Sequence, residues 1–186
     1  MSNVVGVVLA AGAGTRMGTP KALITDAAGV PWVRSAAERV RDGGCGPVLV
    51  VLGAGYQEAK QLVPDFCQVV EAVDWADGMS ASLRAGLRAA ADAGEADAAL
   101  VHLVDLPDVG VDVIVRLVAY AAPAALVRAT YDGRPGHPVM FGRDHWHGVT
   151  ELLDGDQGAR EYLRRHRAIN VECGDLATGA DVDTQP

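Results

Sequence analysis

The most apolar stretches of this chain, Val4 to Ala10, Pro47 to Leu52 and Ala98 to Val104, are strand-length runs rich in Val, Leu and Ala, separated by helix-length patterns. Runs that are apolar at every position, rather than at alternate ones, belong to strands covered on both faces. The spacing predicts helices at about Trp32 to Arg41, Gln57 to Leu62, Ser80 to Ala93 and Asp112 to Tyr120. It also predicts shorter strands at Ala125 to Tyr131 and Val139 to Phe141, then a helix from Gly158 to His166. Strands joined by helix-length crossovers form right-handed βαβ units. The expected fold is therefore α/β: a single domain over residues 1–186, with a mostly parallel open sheet flanked by helices. Gly, Pro and His interrupt the rhythm at about 131–155, which is expected to be an insertion or small lobe.

At 186 residues the chain is long enough for one large core. With three Trp, four Tyr and two Phe, that core must be built largely from Ala, Val and Leu. The net charge of −8 opposes a nucleic acid partner. Cys45, Cys67 and Cys173 lie far apart and form no CxxC pair, and an odd count cannot close a disulfide framework, so a reducing cytoplasm fits. The start has no basic region, and Val4 to Ala11 is too short to span a bilayer. A cytoplasmic protein with no membrane partner is expected.

Ligands of open α/β sheets sit beyond the carboxyl ends of the strands, where the strand order switches. The first strand here runs into Leu9-Ala10-Ala11-Gly12-Ala13-Gly14-Thr15-Arg16-Met17-Gly18-Thr19-Pro20-Lys21. Glycines let backbone N–H groups approach a polyanion, and Arg16 and Lys21 add positive charge. A Walker loop is excluded, because Lys21 follows Pro20 and precedes Ala22. A dinucleotide fingerprint fits poorly: Met17 stands where its third Gly belongs, and the second strand ends in Leu52-Gly53 without an acid for a ribose. Gly53-Ala54-Gly55 lacks a third Gly too and reads as a turn. The whole string, Leu9 to Lys21, resembles the signature of the nucleotidyltransferase superfamily.

The third apolar run ends in Asp105-Leu106-Pro107-Asp108. Alone, Asp-x-Pro is a turn signal. Beside a triphosphate loop, Asp105 becomes a candidate Mg²⁺ ligand, since Mg²⁺ takes one or two carboxylates plus phosphate oxygens. Gly78-Met79-Ser80-Ala81-Ser82-Leu83 opens a helix, with Ser80 a plausible N-cap. Further on come Arg134-Pro135-Gly136-His137-Pro138 and Gly155-Asp156-Gln157-Gly158-Ala159-Arg160, and at the C-terminus Asp181-Val182-Asp183-Thr184. Asp156 read alone is an N-cap, and Arg160 with Arg164 an exposed pair.

In this order the motifs resemble the molybdenum cofactor cytidylyltransferases, over nearly the whole chain. The resemblance implies a Rossmann-like nucleotidyltransferase fold and transfer of CMP from CTP to the terminal phosphate of molybdopterin, releasing pyrophosphate. It implies Mg²⁺ as cofactor and a molybdenum hydroxylase as a transient partner. Leu9, Ala10, Ala11, Gly12, Gly14 and Gly18 would hold the nucleotide, with Gly78 and Ser82 at its base and ribose. Lys21 and Arg16 would be catalytic, Asp105 and Asp183 would hold the metal, with Asp181 the runner-up, and Arg134, His137, Asp156 and Arg160 would bind the acceptor, beside the 131–155 stretch. Relatives that transfer GMP usually carry Leu-Ala-Gly-Gly, so Leu9-Ala10-Ala11-Gly12 favours the cytidylyl branch. Three departures bear on the acceptor: Leu106 where Gln is common, His137 where Asn is common, and an end at Pro186 without a helix often found beyond it.

Other readings stay open: guanylyl or another nucleotidyl transfer, a nicotinamide- or flavin-dependent oxidoreductase, and a non-catalytic cofactor carrier. His145-x-His147 is no metal pair on a helix, because i and i+2 diverge. His102 is expected as a satisfied core residue, and Arg164-Arg165-His166-Arg167 as the basic end of a helix.

Overall fold

Strand β1, Val4–Ala10, is buried along its whole length, as two-sided burial of its apolar run requires. The computed structural model describes residues 3–153 and 158–182. In it β1 is flanked by β2, Val48–Leu52, and β4, Ala98–Leu103. The remaining strands are β3, Cys67–Glu71; β5, Leu126–Tyr131; β6, Arg134–Gly142; and β7, Ile169–Glu172. They form one sheet in the order β3-β2-β1-β4-β6-β5-β7. β6 runs antiparallel to both neighbours and every other pairing is parallel. This is the mostly parallel open sheet expected.

Helices α1, Trp32–Asp42, and α4, Val111–Val118, cover one face, where Val4, Val8 and Ala10 meet Val33, Val40, Ile114 and Leu117. Helices α3, Met79–Asp92, α5, Arg143–Leu152, and α6, Arg160–Arg165, cover the other, where Val5, Val7 and Leu9 meet Leu83, Leu87, Val149 and Leu163. A short α2 spans Tyr56–Ala59. Gly86 lets α3 lie close on the sheet: a Cβ there would stand 2.7 Å from Val7 Cγ1. Among the described residues no helix is long and apolar enough to cross a membrane.

Four elements depart from the sequence expectation. β3 and β7 are edge strands with mixed burial, so neither has the continuous apolar run that marks β1, β2 and β4. Helix α5 and most of β6 lie where Gly, Pro and His break the pattern. The segment Arg134–Pro138 belongs to β6 rather than preceding it, because pairing with β5 continues to Tyr131↔Arg134. A register shift between Arg128 and Thr130 accommodates this prolonged hairpin. Residues 134–142 thus supply an internal strand, between β4 and β5.

Two side chains also differ from expectation. Gly78, at φ 102, is the N-cap of α3, whereas Ser80 is 2 % exposed and its Oγ has no hydrogen-bond partner among the described residues. His102, opposite Val8 in the sheet, is fully buried, but neither ring nitrogen has a partner there. It is a core residue, not a satisfied one. Burial, aided by His137 and Arg39, pushes its pKa down to about 3, so the folded ring is neutral. The unfolded ring, at about 6.5, takes a proton first as pH falls. Its stability contribution is therefore present above pH ~6.5 and is lost on the way down to about 3. His102→Leu is expected to flatten the fall in Tm between pH 7 and pH 5; an unchanged slope would show that His102 does not drive the acid loss.

Candidate active site

The chain lays β1, β2 and β3 outward in one direction and then places β4 on the other side of β1, so the strand order switches between β1 and β4. Leu9 pairs with Leu103, and Val104 donates its N–H to Leu9 O at 3.2 Å. Register alone therefore brings the segment after β1, from Ala11 onward, beside Asp105 after β4.

The loop after β1 is held by its own backbone. Met17 N–H reaches Gly14 O at 2.8 Å, Lys21 N–H reaches Gly12 O at 3.3 Å, and Ala54 N–H reaches Ala11 O at 3.0 Å. Gly14 and Gly18 have φ of 58° and 69°, the region glycine favours. A Cβ at Gly14 would stand 2.0 Å from Thr19 O. Gly14→Ala is thus expected to weaken nucleoside triphosphate binding by about tenfold or more through strain and displacement of the loop. Equilibrium dialysis on a variant that melts cooperatively checks this, and unchanged affinity would contradict it.

Lys21 follows the loop in a single helical turn and its Nζ pairs with the Asp105 carboxylate, which is 7 % exposed. Both line a cavity of about 410 Å³ together with Leu9, Ala10, Ala11, Gly12, Gly78 and Ser82. An adjoining hollow of about 220 Å³ shares Thr15 and Lys21 and is lined also by Gly14 and Arg16. Gly18 borders neither. Val182 donates its N–H to Asp105 O at 3.0 Å, so the C-terminal segment reaches the same strand end with Asp181 exposed. Asp183 and Asp156 lie outside the described residues. Among the described residues there is no cluster of three or more His, Cys, Asp or Glu able to hold a metal.

A second cavity, of about 220 Å³, shares Leu9 and Met79 with the first. Val101, Val139, Phe141 and Leu163 give it apolar walls, and Arg128, His137 and Arg160 give it polar ones. Burial holds the His137 ring at a pKa of about 4, so at neutral pH it offers a hydrogen bond and no charge. The charge comes from the two guanidiniums. Arg134 is exposed at the start of β6 and lines neither cavity. Arg128 of β5, opposite Val139 in the hairpin, lines the second cavity, and its Nε donates to Asn170 Oδ1 of β7 at 2.7 Å. Arg128 lies outside the motifs of the sequence, although a charged residue inside the apolar run Leu126–Tyr131 is a visible signal. Trp75, Ala76 and Met79, which line the first cavity, are likewise not among the residues the motifs single out.

A sheet of this topology, with a glycine-rich loop and a carboxylate at its switch point, is the build of a nucleotide-binding α/β domain. The MobA-like NTP transferase domain model matches residues 6–169, and the chain belongs to that family and is a nucleotidyltransferase. A relative from Paenarthrobacter nicotinovorans named nicotine blue oxidoreductase is 37% identical over 193 residues, covering 97% of this chain and 92% of its own. The crystal structure of Rv0371c from Mycobacterium tuberculosis H37Rv superposes with a TM-score of 0.82 at 26% identity, covering 98% of this chain and 94% of that one. A structure of Rv0371c in complex with manganese, TM-score 0.77 at 23% identity, covers 97% and 94% of the two chains.

Proposed function

We propose that the chain transfers CMP from CTP to the terminal phosphate of molybdopterin, with Mg²⁺, forming a cytosine dinucleotide cofactor and releasing pyrophosphate. The observation that carries this reading is the pair of adjoining cavities: a triphosphate loop with Lys21 and Asp105 in one, and two guanidiniums on an apolar wall in the other.

In the reaction an ionised oxygen of the acceptor phosphate forms a bond to the α-phosphorus while the bond to the β-phosphate bridging oxygen breaks. Pyrophosphate leaves with that bond's electron pair. No proton need move at neutral pH, so charge neutralisation and alignment do the catalysis. The Gly12–Met17 amides and Arg16 hold the β- and γ-phosphates, and Lys21 sets its ammonium against charge gathering at the α-phosphate. Asp105, with Asp183 as second ligand, would hold Mg²⁺, which when bound neutralises the triphosphate. Arg128 and Arg160 bind the acceptor phosphate, and neutral His137 adds a hydrogen bond beside it.

The test is pyrophosphate release with Mg²⁺ and molybdopterin against CTP, GTP, ATP and UTP in parallel. CTP-selective release is the expected result. GTP-selective release would overturn the base assignment, and silence with all four, using acceptor active with a competent enzyme, would overturn the reaction. Arg128→Met is expected to raise KM for molybdopterin about tenfold or more with KM for CTP unchanged, as for loss of a hydrogen bond to a charged group. Arg134→Met, outside both cavities, should change neither.

The name of the 37%-identical relative favours one second reading, an oxidoreductase using a reduced nicotinamide. NAD(P)H oxidation with a dye acceptor, and no pyrophosphate release, would replace the first reading with it.

A further inference from the structure

We propose that Trp75 is the wall against which the nucleobase stacks, an inference that rests on the nucleotidyl-transfer reading and adds a residue that holds the base. The first cavity is lined by Gly12, Thr15, Lys21 and Asp105 and also by Trp75, Ala76, Gly78, Met79 and Ser82. Trp75 supplies the aromatic ring of this lining, so a nucleoside triphosphate whose phosphates lie on Gly12, Thr15 and Lys21 has that ring face in the same cavity for its base.

The chain prepares a place for this indole. Gly53 follows β2 directly, and a Cβ there would stand 2.5 Å from both Cβ and Cγ of Trp75. The missing side chain lets Trp75 pack onto Gly53 beside Ala11 O, the same carbonyl that Ala54 N–H binds at 3.0 Å. The glycine that resembled half a fingerprint in the sequence thus serves the first cavity from β2.

The three tryptophans are differently placed. Trp32 is 9 % exposed within the α1 face of the core. Trp146 donates its Nε1–H to Phe141 O at 2.8 Å. Trp75 is half-buried and lines the cavity, and its indole nitrogen donates to no described residue. An aromatic surface of this kind holds a base by stacking, worth about tenfold or more in affinity.

The experiment measures binding of CTP and of inorganic tripolyphosphate, with Mg²⁺, to the full chain and to Trp75→Ala and Trp75→Phe. Equilibrium dialysis and tryptophan fluorescence are the readouts. The unaltered chain should show fluorescence quenching by CTP and none by tripolyphosphate. Trp75→Ala should weaken CTP about tenfold and leave tripolyphosphate unchanged. Trp75→Phe should abolish the quenching while CTP affinity by dialysis stays within about threefold, because a ring remains to stack. Unchanged CTP affinity in Trp75→Ala would overturn the proposal, as would a parallel loss of tripolyphosphate, which would mean the residue only supports the loop. If the unaltered chain binds neither CTP nor any other nucleoside triphosphate, the nucleotidyl-transfer reading fails and this inference falls with it.

Discussion

Lys21→Ala is expected to lose about a hundredfold to a thousandfold in kcat while nucleotide affinity changes far less. The reason lies in how the ammonium is held. A short helical turn follows Pro20, Lys21 N–H is bonded back to Gly12 O, and Nζ rests on Asp105. The charge is fixed before substrate arrives, so little reorganisation is required as negative charge gathers in the transition state. The glycine amides and Arg16 remain to bind the ground-state triphosphate. Single-turnover rates and dialysis with CTP separate the two effects. Equal losses in rate constant and affinity would mean that Lys21 only helps to hold the nucleotide.

Asp105→Asn carries the second large effect, and its sign depends on the metal. With Mg²⁺ present, kcat should fall at least about a hundredfold, and the Mg²⁺ concentration giving half-maximal rate should rise. Without metal, CTP should bind at least as tightly as to the unaltered chain, because the substitution removes a negative charge from beside the triphosphate. An amide oxygen can still accept from Lys21, so the folded state should persist, with a loss of about 1 kcal/mol for the weakened charged hydrogen bond. A rate independent of this substitution, or weaker metal-free binding, would remove Asp105 from the role of metal ligand.

These two variants probe contacts whose residue types, though not their meeting, were legible in the sequence. Leu9 to Lys21 and Asp105 stand out because glycines and charges interrupt strand ends that are otherwise purely apolar. The second cavity was less legible. Arg134 and Arg128 belong to one hairpin, and only the register of β5 on β6 decides which guanidinium faces the cavity. Trp75 gave no signal because its position matters through Gly53, twenty-two residues earlier, whose lack of a side chain makes room for it. His102 was legible as core, but whether its nitrogens found partners depended on what α1, α4 and β6 bring to that face.

By itself the sequence determined the fold class and the central strands, because two-sided burial demands unbroken apolar runs, and it marked the glycine-rich loop after β1, because glycines there interrupt an otherwise apolar strand end. Tertiary structure alone decided the strand order that sets β4 beside β1, and with it the meeting of Lys21 with Asp105. It also decided the edge strands β3 and β7 and the selection of Arg128 over Arg134. These depend on hydrogen-bond register and on which face each strand turns to its neighbours, and a one-residue change in register reverses that face without any change in composition.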